Sequence, residues 1–180
     1  MKMKKKPLLS VLILALSLFQ SAKADEDAEF LGLLDPLRAG EPAPAITFLN
    51  TQGQTRTLAD YAGEALVVNF WATWCAPCIA EMPALDRLNQ RFLAAGVKAR
   101  VLTINTDFSP EVGPQWLAAN GIQTLGAYYD HTGNAFFDAG GQGMPHTLII
   151  APAGTLAFDI FGDAPWDSDA AFERVADLYL

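Results

Sequence analysis

The sequence is poor in cysteine, histidine and basic residues, and these shortages exclude several classes of protein. Its two cysteines, Cys75 and Cys78, lie in one tetrapeptide and cannot join distant segments of the chain. A bridge that closes so small a loop restricts the unfolded chain little, so a purely structural disulfide explains the pair poorly. Ile79 replaces the histidine of a haem attachment motif. His131 and His146 are spaced unlike the ligands of a compact zinc finger. We therefore expect no metal ion and no cofactor.

Basic residues are outnumbered by acidic ones, with 12 Lys and Arg against 20 Asp and Glu and a formal net charge of −8. Five of the 12 are lysines within the first 24 positions, so the rest of the chain has 7 basic against 20 acidic residues, a net charge of −13. Such an acidic body disfavours binding to nucleic acid and to anionic membrane surfaces.

The N-terminal region has the pattern of an export signal. Four lysines precede an apolar run from Pro7 to Phe19, which is shorter than the roughly 20 residues that a membrane-spanning helix needs. Small residues follow at Ala22 and Ala24, the positions that a signal peptidase reads. We predict a signal peptide over residues 1–24, with an uncleaved membrane anchor as the alternative. Export predicts a periplasmic protein in an oxidising compartment.

The remaining chain is long enough for one domain, because 180 residues with 51% hydrophobic content can bury one sizeable core. Residues 25–41 are acidic and contain Pro36 and Gly40, which predicts a flexible leader. Phe30 and its apolar neighbours could form a short helical turn there that packs on the body. Residues 42–180 form the predicted domain, and we expect a monomer.

Hydrophobic periodicity predicts the order of elements in this domain. A hairpin around Gly53 comes first, and a nearly all-apolar strand over residues 65–72 follows. Apolar residues at spacings of three and four predict a helix from Pro77 to about Ala95. Further elements are a strand in "VKARVLTIN", a helix in "SPEVGPQWLAANG" capped by Ser109, a strand in "LGAYYD", a closing hairpin around "PAG" and a terminal helix capped by Asp167 or Ser168.

This order belongs to the α/β class and predicts a mixed central sheet with helices on both faces. It resembles a thioredoxin-like fold that carries an extra N-terminal β-hairpin.

The setting of the two cysteines predicts a redox site. A strand that runs into a helix near Pro77 places both at a helix N-terminus, where unpaired N–H groups and the helix dipole favour a thiolate. Cys75, at the tip, should be the nucleophile, and Cys78, one turn inward and shielded, should resolve the mixed disulfide. Pro77 suits the first helical turn. Trp74 offers an apolar surface for docking another polypeptide, although it could also be a packed aromatic.

The segment "VVNFWATWCAPCIAEMP" resembles the active-site segment of the TlpA/ResA-like family of exported thioredoxin-fold thiol-disulfide oxidoreductases. The likeness extends through "PAPAITF", "GMPHTLII" and the closing "W-D-S" helix, over about residues 42–180. It implies a reductase that takes electrons from a membrane-embedded thiol donor and reduces disulfides in exported proteins, such as apocytochrome c before haem attachment. It also implies that Pro145 is a cis-proline facing the disulfide, which presents the Met144 backbone to Cys75 and to a substrate strand.

Residues near the cysteines offer candidates for handling protons. Asn69 stands six positions before Cys75, where thioredoxins have a buried acid. Glu81 matches an acid of the ResA-like branch and lies one turn after Cys78, where a carboxylate could accept the thiol proton. The alternative for Glu81 is a solvated side chain in the first helical turn. His146 could tune the thiols electrostatically or point away from them within the next strand, and His131 should be exposed.

Several functions fit a redox pair. The rival to a reductase is a disulfide-forming oxidase, but the Ala-Pro dipeptide adds no donor or charge to stabilise a thiolate, which favours a more reducing pair. A peroxidase is disfavoured because no Arg or Lys lies between Gly63 and Arg87. A redox-linked chaperone or assembly factor that binds cysteine-containing peptides without turnover remains an alternative from a different class.

Overall fold

The computed structural model describes residues 8–179, with side chains from Ala15 onwards. Its helices are α1 (Leu8–Leu33), α2 (Ala76–Ala95), α3 (Val112–Ala119), α4 (Ala135–Asp138) and α5 (Asp169–Ala176), with 3₁₀ turns at Leu58–Tyr61 and Asp177–Tyr179. Its strands are β1 (Thr47–Leu49), β2 (Thr55–Thr57), β3 (Ala65–Trp71), β4 (Ala99–Asn105), β5 (Tyr128–Tyr129), β6 (His146–Ile150) and β7 (Leu156–Phe161).

The strands form one seven-stranded mixed sheet in the order β2-β1-β5-β4-β3-β6-β7. The pairs β3–β4 and β4–β5 are parallel, and the other pairs are antiparallel. Every residue of β3 is buried, which agrees with its nearly continuous apolar sequence because parallel strands are covered on both faces. The predicted mixed α/β sheet is confirmed, and a hairpin of β1 and β2 forms one of its edges.

Alternation along β3 separates two cores, one on each face of the sheet. Val67 and Trp71 face a core built with α2, α5 and the end of α1. Val68 and Phe70 face a second core, which the segment before β1, the turn at Leu58–Tyr61 and α4 cover. Both cysteines belong to the first core, so the redox site lies on the α2 face.

Within the segment whose composition predicts a flexible leader, the residues around Phe30 lie in a helix that packs on the body, the alternative that their apolar character suggested. Helix α1 continues to Leu33, and the Phe30 ring is fully buried with its centroid 5.5 Å from that of Trp166. Asp27 also accepts a hydrogen bond from the backbone N–H of Ala170, at the start of α5, at 2.7 Å. These contacts hold the segment in place, because the free energy gained from burying the Phe30 ring and from the hydrogen bond at the start of α5 offsets the entropy lost when this polar segment is ordered.

Smaller differences concern short elements. Helix α3 begins at Val112 and Glu111 is its N-cap residue, so Ser109 lies too early in the chain to cap it; the Ser109 hydroxyl instead donates to the Glu111 carboxylate. Strand β5 has only two residues, and the four-residue α4 lacks a periodicity that would have predicted it. Between residues 8 and 179, no helix combines the length and the apolar character needed to cross a membrane.

Candidate active site

The cysteine pair lies where β3 ends and α2 begins. Cys75 is the N-cap residue of α2, and Pro77 occupies its first turn as predicted. The two cysteines form a disulfide with their Cα atoms 5.3 Å apart, and the Cys78 backbone N–H donates to Cys75 Sγ at 3.4 Å. Cys75 retains 6% exposure whereas Cys78 is fully buried. The helix start therefore orients the pair so that only Cys75 is open to attack from solvent.

Pro145 lies at the same end of the sheet as this loop. The Met144–Pro145 peptide bond is cis, as expected. Strand β6 pairs antiparallel to β3 with His146 opposite Phe70, so the residue before His146 lies beside the end of β3. Met144 packs against the core that contains both cysteines, and the Thr106 hydroxyl donates to its sulfur at 3.4 Å.

Asp107 ties the cysteine loop to the end of the neighbouring strand β4. Its carboxylate accepts hydrogen bonds from the Thr73 backbone N–H at 3.0 Å and from the Thr73 hydroxyl at 3.1 Å. Trp74 follows Thr73 and is 65% exposed, while Phe108 follows Asp107 and is fully exposed. Sequence reasoning missed Phe108, although its position three residues after the carboxyl end of β4, a strand parallel to β3, was the available signal.

Glu81 is buried, so the solvated alternative is wrong. Its Oε1 accepts from Asn69 Nδ2 at 2.8 Å, and its Oε2 accepts from Trp166 Nε1 at 2.7 Å and from the Ala164 N–H at 3.3 Å. Burial raises the pKa of Glu81 to about 7, against the effect of these hydrogen bonds, which favour the ionised form. A carboxyl group that titrates near neutral pH thus lies one helical turn from Cys78.

Asn69, in the position of thioredoxin's buried acid, acts as a support for Glu81. Its amide nitrogen donates to Thr147 Oγ1 at 2.9 Å as well as to Glu81. Trp166 supports the other carboxylate oxygen, and sequence reasoning did not assign it a role. The tryptophan of the closing "W-D-S" stretch was the signal, but its hydrogen-bond partner lies 85 residues earlier in the chain.

His146 does not join the thiols. Its ring lies on the opposite face of the sheet, stacked on Phe161 with centroids 4.6 Å apart, and its Nε2 is 3.0 Å from Asp159 Oδ1. The reason is register: His146 pairs with Phe70, whereas its neighbour Thr147 pairs with Asn69 on the α2 face. His146 therefore points away from the thiols, and the prediction that it tunes them electrostatically is wrong. His131 is exposed, as expected.

The chain is similar to proteins of one redox family. The Redoxin family profile matches residues 38–175. The chain belongs to the Redoxin family. It is 30% identical over 175 residues to the thiol:disulfide interchange protein DsbE of Pseudomonas aeruginosa, which covers 96% of this chain and 90% of that one. It is 27% identical over 135 residues to the thiol-disulfide oxidoreductase ResA of Geobacillus thermodenitrificans, covering 75% and 76% of the two chains.

A solved structure gives the same fold. The crystal structure of a thiol:disulfide interchange protein DsbE from Chlorobium tepidum superposes with a TM-score of 0.68 at 24% identity, covering 79% of this chain and 98% of that one. The thioredoxin-like fold and the TlpA/ResA-like resemblance are confirmed. This Redoxin-family chain is a thiol-disulfide oxidoreductase with a Cys75–Cys78 pair.

Proposed function

We propose that this protein reduces disulfides in exported proteins through Cys75 and Cys78. The observation that carries the proposal is the disulfide at the start of α2, with one sulfur accessible, the other buried, and no Arg or Lys from residue 64 to residue 86. The dipole of α2 and the Cys78 backbone N–H favour the Cys75 thiolate, but no basic side chain of residues 64–86 adds to them. The dithiol should therefore be stabilised less than that of a strong oxidant.

The reaction begins with the reduced pair. The Cys75 thiolate attacks one sulfur of the substrate disulfide, which forms a mixed disulfide and expels the first substrate thiolate. Cys78 then loses its proton, and its thiolate attacks Cys75 Sγ, which breaks the mixed disulfide and expels the second substrate thiolate. Two electrons pass to the substrate, whose thiolates take up protons, and the protein is left with the Cys75–Cys78 disulfide.

Glu81 is the proposed acceptor of the Cys78 proton. Because its pKa of about 7 is near neutral pH, the carboxylate can take a proton from the thiol and release it again within one cycle. Its burial beside Cys78 supports this role, since bulk water does not reach the resolving thiol directly.

The substrate docks at the exposed end of the sheet. Trp74 supplies an apolar surface beside Cys75, and the Met144 backbone before the cis-proline offers groups with which an extended substrate segment can pair. By the TlpA/ResA-like resemblance, apocytochrome c before haem attachment is a candidate substrate, and a membrane-embedded dithiol protein is the proposed electron donor. The protein acts as a monomer in this scheme.

The lysines and apolar run at the N-terminus support export, with residues 1–24 as the signal peptide and the periplasm as the destination. Relatives named thiol:disulfide interchange protein DsbE support the same setting. Cleavage after Ala24 would leave Asp25–Leu33 of α1 attached to the domain.

A redox titration and a trapping experiment test the proposal together. We expect a reduction potential closer to that of thioredoxin, about −270 mV, than to that of the strong oxidant DsbA, about −120 mV, and a value near the latter would make the protein an oxidase. The Cys78→Ser variant should accumulate mixed disulfides with exported proteins through Cys75.

The matched control is Cys75→Ser, which keeps the buried thiol and should trap nothing. Retention of the same partners by Cys75→Ser would instead identify a protein that binds cysteine-containing peptides without turnover.

A further inference from the structure

Trp166 is a buried residue whose single polar side-chain atom is directed at the active site. It lies in the loop between β7 and α5, and its indole N–H donates the shortest of the three hydrogen bonds that reach the Glu81 carboxyl group, at 2.7 Å. The loop is fixed by its own turns, since the Trp166 N–H donates to the Ala164 carbonyl at 2.9 Å and the Ser168 N–H donates to the Pro165 carbonyl at 3.1 Å.

Neutral donors hold this carboxyl group. Asn69 donates to one oxygen, and Trp166 and the Ala164 backbone donate to the other. The Asp163 carboxylate also disfavours the ionised form of Glu81, but by less than burial does. Because no described ion pair includes Glu81, the orientation of its carboxyl group depends on these neutral donors.

Trp166 is held in turn by the N-terminal helix. The buried Phe30 ring meets the indole edge-to-face at 5.5 Å, with an angle of 69° between the ring planes. The Asp27 carboxylate anchors the same part of α1 by accepting from the Ala170 N–H at 2.7 Å. Edge-to-face contacts of buried rings favour a defined mutual orientation. The indole is therefore held by Phe30 of α1 on one side and by its hydrogen bond to Glu81 of α2 on the other.

We propose that Trp166 is a positioning residue that holds the Glu81 carboxyl group one helical turn from Cys78, and that Phe30 seats Trp166 for this task. The inference rests on the proposed role of Glu81 as proton acceptor. On this proposal, the segment after Ala24 contributes to the geometry of the redox site, because Phe30 belongs to it.

The wild-type protein offers a first test without any substitution of Trp166. In a ¹H–¹⁵N spectrum recorded across a pH series, the indole resonance of Trp166 should titrate together with Glu81, and this titration should vanish in Glu81→Gln. Trp71 is the internal control, because its buried indole nitrogen has no hydrogen-bond partner among the described residues. A Trp166 resonance that stays constant through the Glu81 midpoint overturns the proposal.

Trp166→Phe tests the consequence for proton transfer. Loss of the indole N–H removes a hydrogen bond that favours the carboxylate, so the Glu81 midpoint should rise by about one pH unit. Ellman's reagent reports the effect: Cys75 releases one coloured thiolate, and Cys78 releases the second by resolving the mixed disulfide. The pH profile of the second phase should move up by a similar amount in Trp166→Phe.

The matched control is Trp71→Phe, which removes the same volume from the same core without removing a hydrogen bond to Glu81. Phe30→Leu should move the profile in the same direction by less, and it should add nothing in the Trp166→Phe background. An equal shift in Trp71→Phe, or additive shifts of Phe30→Leu and Trp166→Phe, contradicts the proposal.

The outcomes separate this inference from the proposed function. If Glu81→Gln leaves the second phase unchanged, Glu81 is not the proton acceptor, and the assigned role of Trp166 falls with it. If Glu81→Gln changes the second phase but Trp166→Phe does not, the proton acceptor stands and the positioning role is wrong.

Discussion

At the scale of single residues, Glu81 couples the chemistry of the site to the stability of the fold. Burial raises its pKa from the ordinary 4.5 to about 7, so the unfolded chain releases this proton more readily than the folded one. The stabilising contribution is complete below about pH 4.5 and is lost as the pH rises through about 7.

The test is the free energy of unfolding of the oxidised protein, measured by urea denaturation from acid to alkaline pH. Relative to Glu81→Gln, the wild type should lose on the order of 3 kcal/mol over this range. Glutamine is a suitable comparison because its size is similar and its oxygen can accept from Trp166. A stability difference that does not change with pH would show that Glu81 titrates like an exposed carboxyl group.

For His146 we predict the opposite dependence of stability on pH. Burial lowers its pKa, against the hydrogen bond to Asp159, while Arg38 also disfavours its charged form. The neutral ring is favoured in the fold, so its stabilising contribution is present above the ordinary pKa of 6.5 and is lost as the pH falls. We expect His146→Gln to lose less stability on acidification than the wild type does.

The same variant tests the location of His146 on the sheet face away from the thiols. The pH profile of the second phase with Ellman's reagent should be unchanged in His146→Gln. A displaced profile would restore the tuning role that the geometry removes.

Local motifs explain which site residues the sequence alone could predict. Cys75, Cys78 and Pro77 form one strand-to-helix turn, so their relative placement follows from local geometry. The partners of Glu81 come from β3 and from the loop before α5, and no local pattern connects these segments. The face on which His146 lies depends on the register between β6 and β3, which a tetrapeptide motif does not determine.

At the scale of elements, the start of α5 links the redox site to the end of the chain. Ser168, one of the two predicted caps, is the N-cap residue, and its buried hydroxyl accepts from the Ala171 N–H at 3.1 Å. Asp167 instead pairs with Arg87 of α2 at 2.6 Å. Ser168 thus caps α5 with its hydroxyl, and its backbone N–H closes the turn that carries Trp166 by donating to the Pro165 carbonyl.

Ser168→Ala should lower the free energy of unfolding by about 1 kcal/mol, because a helix N-terminal N–H loses its acceptor. Ser109→Ala is the matched control, since Ser109 precedes a helix but does not cap it. We expect that control to change stability by less than half as much in the same urea titration. Equal losses in the two variants would mean that the Ser168 hydroxyl contributes nothing specific to α5.

At the scale of the whole molecule, a long-range contact determines whether the N-terminal segment is ordered, and amino-acid composition does not reveal that contact. An acidic segment that contains Pro36 and Gly40 predicts flexibility, yet residues 25–33 are helical. Asp35 and Pro42 also form bridges to Asp159 and Thr155 at the closing hairpin. The central elements were predictable because their apolar periodicity is strong over many residues. In the leader, the apolar residues around Phe30 suggested a helical turn that packs on the body, but not its partner, because the contact with Trp166 exists only once the domain has folded.

Phe30→Ala measures how far this contact joins the N-terminal segment to the domain. The substitution removes a fully buried ring and should lower the free energy of unfolding by roughly 3–5 kcal/mol. Leu31→Ala is the matched control, since Leu31 is the next residue of the same helix but is substantially exposed, and it should change stability little. A small effect of both substitutions would mean that the docking of residues 25–33 contributes little to the stability of the domain. A large effect of Phe30→Ala alone would make this segment part of the cooperative unit that surrounds the redox site.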